Sequence, residues 1–161
     1  MPDPIEATVF SLADACVRRG LSIAVAESCT GGWIAKCCTD LAGSSRWFER
    51  GFVTYSNEAK AGMLGVAESS LQQHGAVSEA VVLEMARGAL DRSRAAYALA
   101  VSGIAGPGGG TPGKPVGTVW IAWAGPDGVE AEHQLFDGDR AAIRRQTVEH
   151  ALAGLLARLE T

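Results

Sequence analysis

The sequence lacks the features that mark membrane-embedded, exported and nucleic-acid-binding proteins. No apolar run approaches the roughly 20 residues that a membrane-spanning helix needs, and the chain does not open on a basic segment followed by an apolar stretch. No block of Lys and Arg offers a stripe for phosphates, and the formal net charge is -4. We therefore expect a cytoplasmic protein that binds neither membranes nor nucleic acids.

Residues that often build metal, redox and histidine-dependent sites are also scarce. There are three histidines, none at the end of a predicted strand, and the Gly-x-Ser-x-Gly motif of many serine hydrolases is absent. No pair among the four cysteines has the Cys-x-x-Cys spacing of a zinc or redox site. We expect no metal ion and no cofactor, and we expect Cys16, Cys37 and Cys38 to be packed thiols.

What the chain does contain is a regular alternation of helical and strand patterns. Its 161 residues are 47% hydrophobic, and the length fits one domain over residues 1–161. Helices are predicted at 4–19, about 30–41, 57–64, 78–91 and 140–159, with a short helical turn at 46–48 capped by Ser45. The predicted caps of the longer helices are Thr30, Asn57, Ser78 and Asp139. Strands are predicted at 21–26, 51–56, 97–101, 116–124 and 129–136, the last two forming a hairpin. This order predicts an α/β fold, a three-layer α/β/α sandwich with a mixed, mostly parallel sheet of about five strands.

In such sheets, ligands bind beyond the carboxyl ends of the strands. Ser28, Tyr55 and the pair Ser102-Gly103 each follow an apolar strand, so we expect them to share one crevice. Ser28 also precedes a helix, whose first N–H groups can stabilise an oxyanion. From its position alone, Ser28 is as well explained by a helix cap as by a nucleophile.

A nucleophilic serine needs a base, and the histidines are poorly placed to provide one. Lys60 lies in the first turn of the helix after Tyr55, so both side chains can point over the same sheet edge as Ser28. For Lys60 to act near neutral pH, its pKa must fall by about three units, which corresponds to roughly 4 kcal/mol. Tyr55 could orient Lys60 or relay a proton. The alternatives are a solvated Lys60 with a core Tyr55, and a Cys29 nucleophile.

A glycine-rich loop from Gly103 to Pro115 and two arginines are candidates for ligand binding. Gly108 to Lys114 matches the first part of a P-loop, but Pro115 stands where Ser or Thr must hold magnesium, so an NTPase is excluded. The loop's exposed backbone can still wrap around a ligand. Arg140 and Arg144 lie four residues apart on the last helix, share a face and suit a phosphate or carboxylate.

Several long motifs in the right order resemble the CinA C-terminal domain family over nearly the whole chain. They are Ala26-Glu27-Ser28-Cys29-Thr30-Gly31-Gly32, Gly43-Ser44-Ser45, the segment from Gly51 to Lys60, and the segment from Ser102 to Gly109. Members of this family act as nicotinamide-nucleotide amidohydrolases, which convert nicotinamide mononucleotide to nicotinate mononucleotide and ammonia. The resemblance implies Ser28 as nucleophile, Lys60 as base and Tyr55 as a supporting catalytic residue, in pyridine nucleotide recycling.

The resemblance implies a small-molecule pyridine mononucleotide as partner. The residues expected to bind it are Glu27, Thr30, Gly31, Ser45, Ser102, Gly103, Gly106, Gly108, Gly109, Arg140 and Arg144. Members of the family often self-associate, so a homo-oligomer is expected, and apolar surface around Trp120 and Trp123 could serve a dimer. The non-enzymatic alternative is a catalytically silent nucleotide-binding or regulatory module of the same fold.

Overall fold

Five strands lie side by side in one sheet, and helices cover both of its faces. The computed structural model describes residues 3–161. The helices are α1 (Pro4–Arg19), α2 (Trp33–Thr39), α3 (Asn57–Leu64), α4 (Glu68–His74), α5 (Glu79–Asp91) and α6 (Arg140–Leu159). The strands are β1 (Ile23–Glu27), β2 (Phe48–Val53), β3 (Tyr97–Gly103), β4 (Thr118–Gly125) and β5 (Gly128–Leu135). Within residues 3–161, no helix is both long enough and apolar enough to cross a membrane.

The strand order in the sheet is β2-β1-β3-β4-β5. β1 runs parallel to β2 and to β3, whereas β4 runs antiparallel to both β3 and β5. Four strands therefore point one way and β4 points the other, which confirms the predicted mixed, mostly parallel sheet. The carboxyl ends of β1, β2 and β3 meet at one edge.

Side chains alternate strictly between the two faces along the central strands. Ile23 and Val25 of β1 pack into the cluster formed by α1, α2 and α6. Ala24 and Ala26 face the other way and pack with α5 and with Leu64 of α3. Because the period of a strand is two residues, the next pair, Glu27 and Ser28, also faces opposite sides. This alternation decides which helices each of them can reach.

Alanines line the face of the sheet that packs against α5. The buried alanines of β1, β3 and β4 on that face are Ala24, Ala26, Ala98, Ala100, Ala122 and Ala124. Their small side chains let a helix approach closely, and α5 contributes the larger partners Val81, Val82 and Met85. The opposite face carries the branched residues of the same strands. The core therefore has two layers, one lined by alanines of the sheet and the other by its branched side chains.

The caps of α5 and α6 are the predicted ones, whereas α3 is capped by Ser56 rather than by Asn57, and α2 begins after Gly32 rather than at a Thr30 cap. Asp139 accepts a hydrogen bond from Ala142 N at the start of α6, and Ser78 accepts from Val81 N at the start of α5. Ser56 accepts from Ala59 N and so begins α3 at Asn57. Gly20 ends α1 in the left-handed region, with φ 66. Capping by Asp and Ser satisfies N–H groups that the helix itself cannot pair.

Three expectations about the elements need correction. β2 runs over Phe48–Val53 rather than 51–56, so Tyr55 lies in the following loop. The helix α4 was not predicted, since its sequence Glu-Ser-Ser-Leu-Gln-Gln-His has almost no apolar periodicity. Trp123 is only 2% exposed and donates its indole N–H to Ala151 O at 3.0 Å, so it offers no surface for a dimer.

Candidate active site

Ser28 and Lys60 form a buried pair at the carboxyl end of β1. Lys60 Nζ lies 2.9 Å from Ser28 Oγ and 2.8 Å from the carbonyl oxygen of Thr54. Lys60 is 1% exposed and Ser28 is 8% exposed. The Ser56 cap begins α3 so that Lys60 falls in its first turn, while Thr54 N donates to Glu27 O and ties the loop after β2 to β1. Local capping and sheet pairing thus bring the two side chains together.

Burial changes the proton affinity of Lys60. Loss of solvation lowers the pKa of the ammonium group from its ordinary value, and the nearby Cys29 acts in the opposite direction. A lowered pKa enriches the neutral amine, which can accept the proton of the Ser28 hydroxyl over the observed distance. The pair therefore has the geometry and the electrostatics of a nucleophile with its general base.

Cys29 lies beside Ser28 but is poorly suited to attack a substrate. Burial raises the pKa of its thiol to about 11. The thiolate is the nucleophilic form of cysteine, and at neutral pH a thiol with this pKa is almost entirely protonated. This placement favours Ser28 over the alternative nucleophile.

Glu27 occupies the first N–H groups of α2. Its carboxylate is fully buried and accepts from Ile34 N at 2.8 Å, from Ala35 N at 3.0 Å and from Thr30 Oγ1 at 2.6 Å. The expectation that the N–H groups of this helix hold an oxyanion is therefore wrong for Ile34 and Ala35. Glu27 instead holds the turn that carries Ser28, and its buried carboxylate presents no surface to a substrate.

Arg144 supports the same turn from α6. Its Nε donates to Cys29 O at 3.0 Å and its Nη2 donates to Thr30 O at 3.1 Å. The guanidinium also lies over the ring of Trp33, 5.5 Å from its centroid. Elsewhere in residues 3–161, no residue accepts a hydrogen bond from the backbone N–H of Cys29 or of Thr30. Thr30 is fully buried, whereas Cys29 is 6% exposed.

The glycine-rich loop lies beside this turn and is held at its base by Arg140. Arg140 Nη1 donates to Gly106 O at 2.9 Å, and its Nη2 lies 3.3 Å from Tyr55 Oη. Gly108 and Gly109 are exposed. Tyr55 is 63% exposed, and its phenol contacts Arg140 rather than Lys60. The expectation that Tyr55 orients Lys60 is therefore wrong, because Ser28 Oγ and Thr54 O orient it.

The family model for the CinA C-terminal domain matches residues 5–159. The chain belongs to the CinA C-terminal domain family. Nicotinamide-nucleotide amidohydrolase PncC of Escherichia coli (strain K12) is 60% identical over 145 residues, which cover 89% of this chain and 88% of that protein. PncC of Pseudomonas putida is 54% identical over 154 residues and 96% of each chain. These relatives confirm the resemblance drawn from the motifs.

Solved structures of the CinA family confirm the fold. The competence/damage inducible protein CihA from Agrobacterium tumefaciens is 47% identical, with a TM-score of 0.93 over 100% of this chain and 98% of that chain. The competence damage-inducible protein A from Klebsiella pneumoniae is 40% identical, with a TM-score of 0.93 over 97% of each. The α/β/α architecture is thus shared with these members of the CinA family.

The structure brings some of the expected binding residues to the site of this CinA-family chain and leaves others apart. Gly31, Gly108, Gly109 and Arg140 are exposed. Gly103 ends β3 beside them, where an added Cβ would lie 2.7 Å from Val119 Cγ2. The exposed backbone of this region is accessible to a ligand, so a binding role for it stays a prediction.

Three of the remaining expectations conflict with the placement of the residues. Thr30 is fully buried with its hydroxyl on Glu27, and Ser102 is 1% exposed with its hydroxyl on Ala76 O. Ser45 lies in the turn Ser44–Arg46 that precedes β2, at the amino end of that strand. A strand of this length spans about 20 Å, so Ser45 is far from the carboxyl-end site. These side chains do not face a ligand at Ser28.

Sequence reasoning missed two contacts that shape the site. They are the hydrogen bond from Lys60 to Thr54 O and those from Arg144 to the carbonyls of the 29–30 turn. Their acceptors are main-chain oxygens, which carry no signal in the sequence. The one available signal was that Arg140 and Arg144 share a face of α6.

Proposed function

We propose that this protein hydrolyses the carboxamide of nicotinamide mononucleotide to give nicotinate mononucleotide and ammonia. The observation that carries the proposal is the 2.9 Å contact between Ser28 Oγ and Lys60 Nζ, at the sheet edge where ligands bind in such folds. The proposal is supported by the 60% identity to a relative named nicotinamide-nucleotide amidohydrolase.

In the proposed reaction, neutral Lys60 takes the hydroxyl proton as Ser28 Oγ attacks the carboxamide carbon. The oxyanion that develops is stabilised by backbone N–H groups of the turn after Ser28. Lys60 then gives its proton to the departing nitrogen, so that ammonia leaves and an ester to Ser28 remains. Water attacks this ester with Lys60 again as base, which releases nicotinate mononucleotide and restores Ser28.

The open side of the site suits the rest of the nucleotide. Arg140, Tyr55 and the exposed backbone of Gly108 and Gly109 lie at the mouth, where a ribose and its phosphate would extend from the reacting carboxamide. We place Tyr55 in contact with bound substrate, since its phenol is exposed. Self-association, a cytoplasmic location and independence of metal and cofactor stay predictions.

Ammonia release from nicotinamide mononucleotide, with and without a chelator, tests the proposal. We expect equal turnover under both conditions and a loss of at least about 10³-fold in Ser28→Ala and in Lys60→Met, because nucleophile and base act as one unit. Ser45→Ala is the matched control, since this exposed serine lies at the other end of β2, and it should keep full activity.

Several outcomes would contradict the proposal. Loss of turnover in Cys29→Ala with Ser28→Ala still active would make the cysteine the nucleophile. Tight calorimetric binding of the mononucleotide by folded wild-type protein without ammonia release would indicate a silent binding module. Activity that disappears with the chelator would show that Ser28 and Lys60 need a metal ion.

A further inference from the structure

We propose that Thr54 is a positioning residue whose side-chain hydroxyl accepts a hydrogen bond from the ammonium group that Lys60 becomes when it takes the proton of Ser28. The inference rests on the proposed function, because it concerns the base of the same reaction. It also gives a role to a residue for which the sequence predicted none.

The hydroxyl of Thr54 is buried and has no partner. Thr54 is fully buried, its N donates to Glu27 O at 2.8 Å, and its O accepts from Lys60 Nζ at 2.8 Å. Its Oγ1, in contrast, has no hydrogen-bond partner, and no other buried side-chain nitrogen or oxygen in residues 3–161 lacks one. Buried hydroxyls are rarely left unpaired, because an unmet hydrogen bond costs free energy. This hydroxyl is therefore a candidate for a contact that forms only during the reaction.

The alternation of side chains along β2 places this hydroxyl on the same side of the sheet as Lys60. Phe52 packs with the face of the sheet that is lined by alanines. Val53 pairs with Glu27 in the ladder and points to the other face. Thr54 continues the ladder through its hydrogen bond to Glu27 O, and the period of two returns its side chain to the Phe52 side. Lys60 reaches the site from α3 on that same side.

Lys60 gains a hydrogen in the reaction that needs an acceptor. A neutral amine carries two hydrogens and a lone pair, whereas an ammonium carries three hydrogens. The partners of Nζ are Ser28 Oγ at 2.9 Å and Thr54 O at 2.8 Å, and within residues 3–161 it has no third. Lys60 is 1% exposed, so bulk water does not supply one. Because Nζ already contacts the carbonyl of Thr54, rotation about the Cα–Cβ bond of that residue can bring its unpaired hydroxyl to the new hydrogen.

The additional hydrogen bond favours the charged form of Lys60. Burial lowers the pKa of this amine, and an acceptor for its ammonium acts in the opposite direction. As the proton moves from Ser28 Oγ to Nζ and Oγ bonds to the carboxamide carbon, the hydroxyl of Thr54 stabilises the charge that develops on nitrogen. Thr54 itself neither gains nor loses a proton, so the balance of the reaction is unchanged.

Other ionisable groups around Lys60 do not supply this acceptor. The thiol of Cys29 acts on the pKa of Lys60, but burial raises the pKa of that thiol to about 11, so it is protonated at neutral pH. Glu27 faces α2, where N–H groups occupy its carboxylate. The phenol of Tyr55 is exposed and contacts Arg140. The other charged residues of α3 and of the adjacent α5 are not buried, and they are Glu58, Glu79, Glu84, Arg87 and Asp91.

The experiment titrates the lysines of wild type and of two variants at Thr54. The chain has three lysines, Lys36, Lys60 and Lys114, so protein labelled with carbon-13 at lysine Cε gives three signals, and Lys60→Met assigns one of them. Thr54→Val removes the hydroxyl at almost constant volume, and Thr54→Ser keeps it. We expect the pKa of Lys60 to be about one unit lower in Thr54→Val than in wild type, and in Thr54→Ser to stay within about 0.3 units of wild type.

Thr147→Val is the matched control for loss of a buried hydroxyl. Thr147 is also fully buried, but its hydroxyl donates to Ile143 O at 2.8 Å within α6. This helix packs on the other face of the sheet. We expect Thr147→Val to leave the pKa of Lys60 unchanged, and Thr54→Val to leave the signals of Lys36 and Lys114 unchanged.

Turnover of nicotinamide mononucleotide gives a second readout. Because kcat/KM rises with pH as Lys60 loses its proton, the midpoint of this rise should move to lower pH in Thr54→Val by the same one unit or so. Above the midpoint, we expect kcat to fall about 3–10-fold, since a weaker base accepts the serine proton less readily. KM should change less than about twofold, because the fully buried Thr54 does not touch the substrate.

Two results would overturn the proposal. An unchanged pKa of Lys60 in Thr54→Val would mean that the hydroxyl is only an unpaired buried group. An equal shift in Thr147→Val would mean that any buried threonine has this effect. Should Thr54→Val fail to fold by circular dichroism, Thr54→Ala replaces it with the same shift expected, since it also lacks the hydroxyl.

The titration also separates this proposal from the proposed function, because it requires no turnover. Wild-type protein that releases no ammonia, with the pKa of Lys60 shifted in Thr54→Val, would refute the proposed function and leave the contact of Thr54 with Lys60 standing. Ammonia release by wild type, with an unshifted Lys60 in Thr54→Val, would refute the role of Thr54 alone.

Discussion

The turn that carries Ser28 and the glycine-rich loop beside it differ in how they are held. The turn, residues 27–32, is anchored by the carboxylate of Glu27 below it and by the guanidinium of Arg144 beside it. The loop, residues 104–117, is exposed from 107 to 113. Its supports include Arg140 on Gly106 O and Lys114 Nζ on His74 O at 2.6 Å.

This difference matches the demands of two tasks. Bond making requires the nucleophile, the base and the oxyanion donor to stay within a fraction of an ångström of their working positions, which buried hydrogen bonds achieve. Contact with the distal part of a nucleotide needs accessible backbone, which exposed glycines provide. The comparison predicts that substitutions in the turn cost folding free energy and turnover, whereas those at the tip of the loop cost little of either.

The strongest test of the turn is Glu27→Ala. The substitution leaves three buried donors, from Thr30, Ile34 and Ala35, without their acceptor. Each unsatisfied buried donor costs roughly 1–3 kcal/mol, and partial hydration brings the expected total loss of folding free energy to about 3–5 kcal/mol. Urea denaturation of Glu27→Ala and of the exposed control Glu160→Ala measures it. A loss below about 1 kcal/mol would mean that Glu27 does not hold the turn.

Within the loop, alanine substitutions at Gly106 and Gly108 compare how well the base and the tip tolerate a side chain. Gly106 has φ +78, and a Cβ there would lie 2.5 Å from Val116 Cγ1. At Gly108 an added Cβ would meet nothing within 4 Å. We expect Gly106→Ala to lose about 2 kcal/mol of folding free energy and Gly108→Ala less than about 0.5 kcal/mol. Equal thermal stability of the two variants would show that the base of the loop is as permissive as its tip.

The sequence predicts an element well when its signals are local and poorly when its bounds depend on a neighbouring element. Local signals were sufficient for α1, α3 and α6, whose predicted bounds the structure confirms, although Ser56 rather than Asn57 caps α3. They were insufficient for β2, because an edge strand has one neighbour and tolerates charged residues such as Glu49 and Arg50. Its bounds follow from pairing with β1, which no local pattern encodes.

For the site, the side-chain pair could be predicted and its supports could not. Ser28 and Lys60 each follow a strand end in a regular α/β pattern, so their meeting follows from fold class. The burial of Glu27 and the carbonyl contacts of Arg144 depend on which face of β1 each residue occupies. Ser45 was wrongly expected at the site, because a motif shared with a family does not show at which end of a strand it lies.

The buried amine of Lys60 gives the turn a pH-dependent stability. Its folded-state pKa is lowered by burial, so between that value and the ordinary value near 10.4 the unfolded chain binds more protons than the folded one. The free energy of unfolding of wild type should therefore rise with pH across this window, relative to Lys60→Met. Each unit of pKa depression corresponds to about 1.4 kcal/mol.

Urea denaturation of both proteins between pH 6 and 10 measures the difference. Lys36→Met is the control: the Asp40 carboxylate raises the pKa of Lys36, so its contribution is constant across most of this range and falls only at its upper end. Parallel curves for wild type and Lys60→Met would contradict a depressed pKa. The same depression predicts that kcat/KM of wild type rises with pH as Lys60 loses its proton.

The smallest effect on stability is expected for Tyr55→Phe. The substitution removes one hydroxyl that is exposed and 3.3 Å from Arg140, so the folding free energy should change by less than about 0.5 kcal/mol. Because the phenol touches the arginine at the mouth and not Lys60, we expect KM for the mononucleotide to rise several-fold and kcat to fall less than about tenfold. A loss of kcat on the order of 10²–10⁴-fold with KM unchanged would instead make Tyr55 a proton donor or acceptor in the reaction, and would extend the chemistry from the buried turn to the open edge of the site.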